Sequence, residues 1–563
     1  MKVKFLLILF SLVASATLHA GSATWEINPT NGSWHTVANW TPATIPNGPG
    51  DTASFGVSNT TGISLTAATE VDALIFDPGA SAFTFTTSPA SRDPKIALTL
   101  SGTGIVNNSG AIQNFDTGSG GAFAFRGSAT AGNGNFAVKS SASGGSFGGY
   151  VLFDDSTSAA DGVFVISPAT GKSRGAGHID FLGYSTAANG VFTLEGVSQI
   201  DFDGPQLDFY EGSTAGNSVI TVTGGLGPGI FSGRIFFNGN SSGFDPASAG
   251  SATCINNGGQ GLDAQGGYTA FFANATAGQA RLIANSGVEG GKGGFIAFYT
   301  VSDGAEAEIE VYGNGYLDVS FRDLPGITIG SLSGDGFVYL GAHNLTVGSN
   351  NLDTTFVGIL EEGGGTASGS NGSLTKMGAG VFNLGGSSTY QGGTTVTGGV
   401  LRVTNVTGSA TGTGPVQVNG GILGGAGIIT GAVTIGTGSG AGAQLEPGVG
   451  SKRPTTITLL NGGTWKADGS YVYRLNTKRA KGDQVAAAGV TIIGGALFNF
   501  TAVANRKLNA GTTFTAINNT AATPIAGTFS NLANGSIFTV GRNAYQASYA
   551  GGDGNDLTLT VQP

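Results

Sequence analysis

Five phenylalanines, Phe125, Phe153, Phe181, Phe209 and Phe237, recur at intervals of 28 residues. The text around them recurs too: FRGSATAGNGNFAV, FDDSTSAADGVFVI, FLGYSTAANGVFTL and FYEGSTAGNSVITV are versions of one unit. A fixed period of this size marks a stacked repeat, in which no unit buries its own apolar face. The beat continues through Phe271, six residues late, and Phe298, one residue early. Within GHIDFLG, strand alternation turns Ile179 and Phe181 one way and His178, Asp180 and Leu182 the other. A turn cluster, STAANG, and a second short strand, VFTLEG, complete the unit. Two or three short strands per unit fit one rung of a parallel β-helix. A propeller blade needs about 40–50 residues, and a leucine-rich repeat needs a Leu/Asn pattern that is absent here.

Composition agrees with β-structure. Gly accounts for 101 of 563 residues and charged residues for 10%, yet 34 Phe and many Val, Ile and Thr exclude a disordered chain. No long stretch carries the helical apolar period. Residues 1–20 read as a secretory signal: Lys2 and Lys4 precede the apolar FLLILFSLVA, with cleavage expected after Ala16 or Ala20. No later segment is apolar for long enough to cross a bilayer as a helix. Cys254 stands alone, so stacking rather than disulfides must stabilise the exported chain. A net charge of −10 disfavours nucleic acid and anionic membranes as partners. Rungs stacked about 4.8 Å apart predict a rod on the order of 100 Å long, with the five phenylalanines as an internal ladder.

Trp25, Trp34 and Trp40 crowd the first segment, followed by IPNGPGDTASF, in which Asp51 closes a turn. These aromatics are expected to cap the solenoid's open first edge; the alternative is a sugar-stacking platform. At the other end, GGDGNDLTL (551–559) superficially fits a calcium-binding nonapeptide. A single copy with Leu557 and Leu559 out of phase reads instead as a hairpin turn, making Asp553, Asn555 and Asp556 turn residues.

Residues 373–403, SLTKMGAGVFNLGGSSTYQGGTTVTGGVLRV, resemble the autotransporter-associated β-strand repeat, also called the passenger-associated transport repeat. Leu374, Thr375, Lys376, Gly378 and Gly380 match its opening. Thr389, Tyr390, Gly392, Gly393 and Thr394 match its turn, and Gly398, Gly399, Leu401 and Val403 its closing strand. Ser388 stands where Asn is usual. The segment from about 415 to 560 is similar to the region downstream of such repeats in secreted proteins of Gram-negative bacteria. The resemblance implies a right-handed parallel β-helix that is secreted or displayed at the cell surface, with the periplasm as the other location. It implies no activity. Autotransporters carry a membrane barrel at the carboxyl end, whereas this sequence runs to Pro563 without one, so separate export machinery is expected. The organisation expected is a signal at 1–20, a capping segment at 21–100, 28-residue repeats at 101–372, the resembling repeat at 373–414 and a passenger-like region at 415–563.

Acidic residues concentrate at Asp180, Asp201, Asp203, Asp208 and Glu211. Asp180 and Asp208 occupy the same position of successive units and should lie side by side outside the coil. Such a pair could be a solvated acidic face, a cation site including Glu211, or the acid and partner of a polysaccharide lyase or glycoside hydrolase. His178, Arg174 and Lys172 are near in sequence. His35, His178 and His343 are isolated from one another, and no nucleophile elbow or phosphate loop appears. The basic RLNTKRAKGD, Arg474 to Asp483, reads as an exposed loop, and residues 241–254 as a repeat-breaking insert that could decorate a binding face. The expectation is a non-catalytic, cofactor-free adhesin, matrix component or scaffold, its partners extracellular glycans or cell-surface components.

Overall fold

The computed structural model describes residues 21–87, 97–141, 148–169, 175–198, 203–230, 232–239, 245–323, 326–440 and 442–563. The signal segment, Asp201, Arg174 and Lys172 lie outside them, as do residues 241–244 of the insert. The chain is a parallel β-helix. One sheet of 15 strands runs from the first tryptophans to Ile359–Glu361, and consecutive coils contribute its neighbouring strands. Within it Ala122–Phe125, Tyr150–Phe153, His178–Phe181, Gln206–Tyr210 and Arg234–Asn238 pair in parallel, in register and one unit apart. A second sheet stacks the other strand of each unit, such as Asn135–Val138 on Val163–Ile166 on Val191–Leu194.

The phenylalanine period becomes a ladder. Ring centroids step by 4.6 Å from Phe125 to Phe153 and again to Phe181, then by 4.8 Å to Phe209 and 4.7 Å to Phe237. All five are 0% exposed. The rungs at Phe271 and Phe298 continue the stack despite their shifted spacing, because Phe271 pairs in register with Phe237 and Phe298 with Phe271. A second ladder, Phe136, Phe164 and Phe192, rises from the other sheet at 4.6 Å per step and meets the first edge-on, as Phe181 meets Phe192 at 6.0 Å. Cys254 belongs to this second column, between Ile220 and Leu282, and burial pushes its thiol up to about 12. It is an inert core residue.

Between the sheets the chain turns at a third, one-residue ladder: Thr130, Ser158, Thr186, Thr214, Ser248 and Thr276 bridge in parallel. Each hydroxyl accepts a hydrogen bond from the amide two residues on, as Thr186 Oγ1 does from Ala188 at 3.0 Å. That second residue is left-handed in every unit. Gly132, Gly216, Gly250 and Gly278 hold it at φ between 57° and 60°, but Ala160 and Ala188 hold it at 47°. A left-handed Ala carries a penalty of about 1–2 kcal/mol, partly offset by the extra chain entropy Gly loses on folding. Ala188→Gly should therefore raise stability by about 0.5–1 kcal/mol, read as a higher urea midpoint; an unchanged or lowered midpoint would show that the corner is not strained.

The segment at 373–403 forms two successive coils of the second sheet. Leu374 lies beneath Thr394, and Phe382 and Leu384 beneath Leu401 and Val403. Its residue pattern has steric causes. A Cβ on Gly378 would lie 2.0 Å from the Gly348 carbonyl, and one on Gly393 2.5 Å from that of Pro415. Tyr390 is fully buried, with its hydroxyl 2.6 Å from Thr394 Oγ1. Lys376, 1% exposed, donates to the carbonyls of Gly378 (3.1 Å) and Gly398 (3.4 Å), tying the turns of adjacent coils together. Ser388, in the usual Asn position, accepts from the Leu360 amide at 3.3 Å.

Both ends of the stack are closed. Trp25, Trp34 and Trp40 are at most 2% exposed and pack on one another and on Phe55, with Trp34 and Trp40 at 4.8 Å. No face is left open to a sugar ring, so the platform alternative gives way to the cap. At the far end Thr513–Asn519 pairs with Asp556–Val561 in antiparallel fashion, followed by Asn543–Gly551 and Ile537–Val540. This reversal ends the parallel edge. Gly551 pairs with Asp556 across the GGDGN turn, and the Asp556 carboxylate accepts from the Asn519 amide at 2.9 Å, as a hairpin requires.

Candidate functional site

In-register parallel stacking puts residues one unit apart side by side, so the outward positions of the first sheet form columns. Tyr150, His178, Gln206 and Arg234 make one column; Leu152, Asp180, Asp208 and Phe236 make the next. His178 Nε2 lies 2.7 Å from Asp180 Oδ1 and 3.3 Å from Asp208 Oδ2. The Tyr150 hydroxyl donates to Asp180 Oδ2 at 2.7 Å, and that of Tyr210 to Asp208 Oδ2 at 3.3 Å. Asp208 is 3% exposed.

This arrangement holds a proton on the imidazole. Burial works against the charge, but hydrogen bonds to Asp180 and Asp208, with their negative charge, more than offset it and raise His178 to about 9. Burial and the same carboxylates push the Tyr150 and Tyr210 hydroxyls well up, so both remain donors. One imidazole nitrogen and two carboxylate oxygens within 4.8 Å of one another are also a donor set that a divalent ion accepts once the Nε2 proton leaves.

The other candidate residues lie elsewhere. Glu211 follows the strand at φ 55° and its carboxylate accepts from the Gly183 amide at 3.0 Å; it is not part of the cluster. Asp203 is exposed in the corner between the sheets, its carbonyl accepting from the Ala169 amide. His35 bonds Thr69 and His343 the Ser320 carbonyl, each in its own coil.

Further along the same face the columns become aromatic. Tyr268, Phe295 and Tyr316 stack at 4.6 and 5.0 Å, and Phe272 and Tyr299 at 4.8 Å. Between these stacks Ala270 and Ala297 are at most 1% exposed. The stacked faces are turned to one another, which leaves edges outward and makes this stripe an external brace rather than a sugar platform.

Comparison with known proteins finds one segment of this coil similar to a known family. Residues 374–403 match the Passenger-associated-transport-repeat family. Among solved structures, the crystal structure of the Haemophilus influenzae Hap adhesin is similar at 12% identity and a TM-score of 0.23, covering 91% of this chain. The chain spans 64% of the length of that adhesin. No curated protein matches it. Residues 374–403 are thus similar to a passenger-associated transport repeat, and the structure sets them within a parallel β-helix.

Proposed function

We propose that this chain is an exported, surface-acting β-helical protein of a Gram-negative bacterium, adhesive or structural in role and without catalytic activity. The observation that carries the reading is the transport repeat set in register within a coil that is capped by tryptophans at one end and closed by antiparallel strands at the other. Such a body presents outward columns of side chains to extracellular glycans or cell-surface components and needs no cofactor to do so. The acidic pair supports the same reading. Each carboxylate faces the same imidazole and one tyrosine hydroxyl, so the pair shares a single ring, whereas glycoside hydrolysis uses a protonated acid and a partner carboxyl about 5–9.5 Å apart.

Intact cells of the native species should lose the protein to added protease, or shed it into the medium, while a cytoplasmic marker survives. Recovery only from the cytoplasm would end the proposal. Turnover of acidic or neutral polysaccharides that Asp180→Asn and Asp208→Asn both abolish would establish the rival, a polysaccharide lyase or glycoside hydrolase on the acidic strip.

A further inference from the structure

Charge is divided unevenly along the chain. Ten of the 24 Lys and Arg, but only five of the 34 Asp and Glu, lie after residue 442, so that stretch carries +5 and the remainder −15. The fold gathers these cations further. Lys452 and Arg453 sit in the turn before the strand Thr456–Leu459, and Lys478 and Arg479 in the hairpin between Gly469–Asn476 and Lys481–Gly482. Arg506 and Lys507 follow Leu497–Ala502, and Arg542 precedes Asn543–Gly551.

Hydrogen bonds join the four turns into one surface. The Thr455 amide donates to Asp483 Oδ1 at 2.9 Å, fastening the first turn to the hairpin. The Arg506 amide donates to Thr477 Oγ1 at 2.9 Å, fastening the third to the hairpin. The Arg542 amide donates to Asn505 Oδ1 at 3.0 Å, and Asn543 Nδ2 to the Arg506 carbonyl at 2.9 Å, fastening the fourth to the third. A shallow hollow lined by Lys452, Arg453, Asn476 and Val503 lies between them. Every one of these cations, with Lys481, is exposed, and none forms an ion pair among the described residues. The nearby carboxylates are already taken: Arg474 lies 3.0 Å from Asp483 and 3.7 Å from Glu446.

Eight like charges held on neighbouring turns repel one another, and a polyanion relieves that repulsion while releasing its own counterions. We propose that this carboxyl-terminal corner is a binding surface for an acidic polysaccharide, one bearing uronate or sulfate groups. A polysaccharide, rather than an intracellular polyanion, fits the surface-acting function proposed above, on which this assignment rests. The side chains point the same way. Single-stranded nucleic acid sites interleave aromatic faces with cations, but here Phe500, Phe538 and Tyr545 pack on one another within 5.7 Å. A stiff duplex would also run from the basic corner onto the acidic remainder. Membrane surfaces are entered by apolar tips beside the cations, and among these turns Val503 is the one large apolar residue exposed.

The test uses the purified mature chain on immobilised polygalacturonate and heparin, with dextran, duplex DNA and phosphatidylglycerol vesicles alongside. Binding to the two acidic polysaccharides is expected to weaken steeply with salt and to be absent on dextran. Joint replacement of Lys478, Arg479, Arg506 and Lys507 by Gln should weaken it about 30-fold or more and lower the salt slope. The same charge removed at Arg126, Lys139, Arg281 and Lys292 should leave it unchanged. Failure to bind either polysaccharide, tighter capture of DNA or vesicles, or equal losses in the two quadruple variants would overturn the assignment. Protease access on intact cells reports on surface location independently, so a failure of either reading is identifiable.

Discussion

Phe181→Ala is expected to lower stability by about 3–5 kcal/mol, the usual cost of emptying a fully buried aromatic site. Phe181 is sandwiched between Phe153 at 4.6 Å and Phe209 at 4.8 Å, with Phe192 edge-on at 6.0 Å. The neighbouring rings cannot collapse into the gap, because each is fixed by the spacing of its own backbone strand. In a stacked repeat, stability is close to a sum of unit terms and nearest-neighbour terms. One alanine therefore weakens two interfaces, and the coils before and after it should begin to unfold separately. Urea denaturation followed by circular dichroism should show an earlier and broader transition. Limited proteolysis should cut first near the altered rung. Tyr184→Ala, in the same unit but 61% exposed, serves as the control and should shift stability by no more than about 0.5 kcal/mol. A loss under about 1 kcal/mol for Phe181→Ala would mean that the ladder is not what couples the coils.

The rung architecture was legible because the repeat keeps both its period and its alternation over several units. The second ladder required only the same count applied to Phe136, Phe164 and Phe192, which share that period. Asp180 and Asp208 could be placed together from sequence alone, since a parallel in-register stack converts a 28-residue separation into adjacency. His178 follows by alternation, two residues earlier on the same face. Glu211 could not be placed this way: it lies beyond the strand end at φ 55°, where alternation no longer governs direction. The aromatic brace and the basic corner were not legible for a related reason. After Phe298 the coils shorten and differ in length, so no constant offset relates Tyr268 to Tyr316 or Lys452 to Arg506. RLNTKRAKGD reads as one exposed loop, but Arg474–Asn476 complete a strand, Leu475, Thr477 and Asp483 are buried, and only the hairpin tip 478–481 is exposed; its three partner turns are brought beside it only by the folded path.

Raising the pH from 6 to about 9.5 should remove a stabilising contribution that His178→Gln never has. The folded-state pKa of His178 stands at about 9 against an ordinary 6.5. Its contribution is therefore complete below 6.5 and is lost as pH rises through 9. The full shift would correspond to about 3.4 kcal/mol. The side chain is 32% exposed, and solvent screening brings the expected effect to about 1–2 kcal/mol. The groups that face the imidazole are Asp180, Asp208 and the hydroxyl of Tyr150, with Tyr210 and Arg234 beyond them. Neither tyrosine ionises in this range. Lys376 works in the opposite sense: burial lowers it to about 8, so the unfolded chain holds that proton more tightly and stability rises between about 8 and 10.4. The wild-type curve alone mixes the two slopes, whereas the difference between wild type and His178→Gln isolates the histidine. That difference should be about 1–2 kcal/mol at pH 6 and close to zero by pH 9.5. Asp208→Asn leaves Asp180 as the only carboxylate on the ring and should move the loss to lower pH. A difference that stays flat from pH 6 to 9.5 would show that no proton is held between the two carboxylates, and the cluster would then be a neutral hydrogen-bonded corner of the sheet.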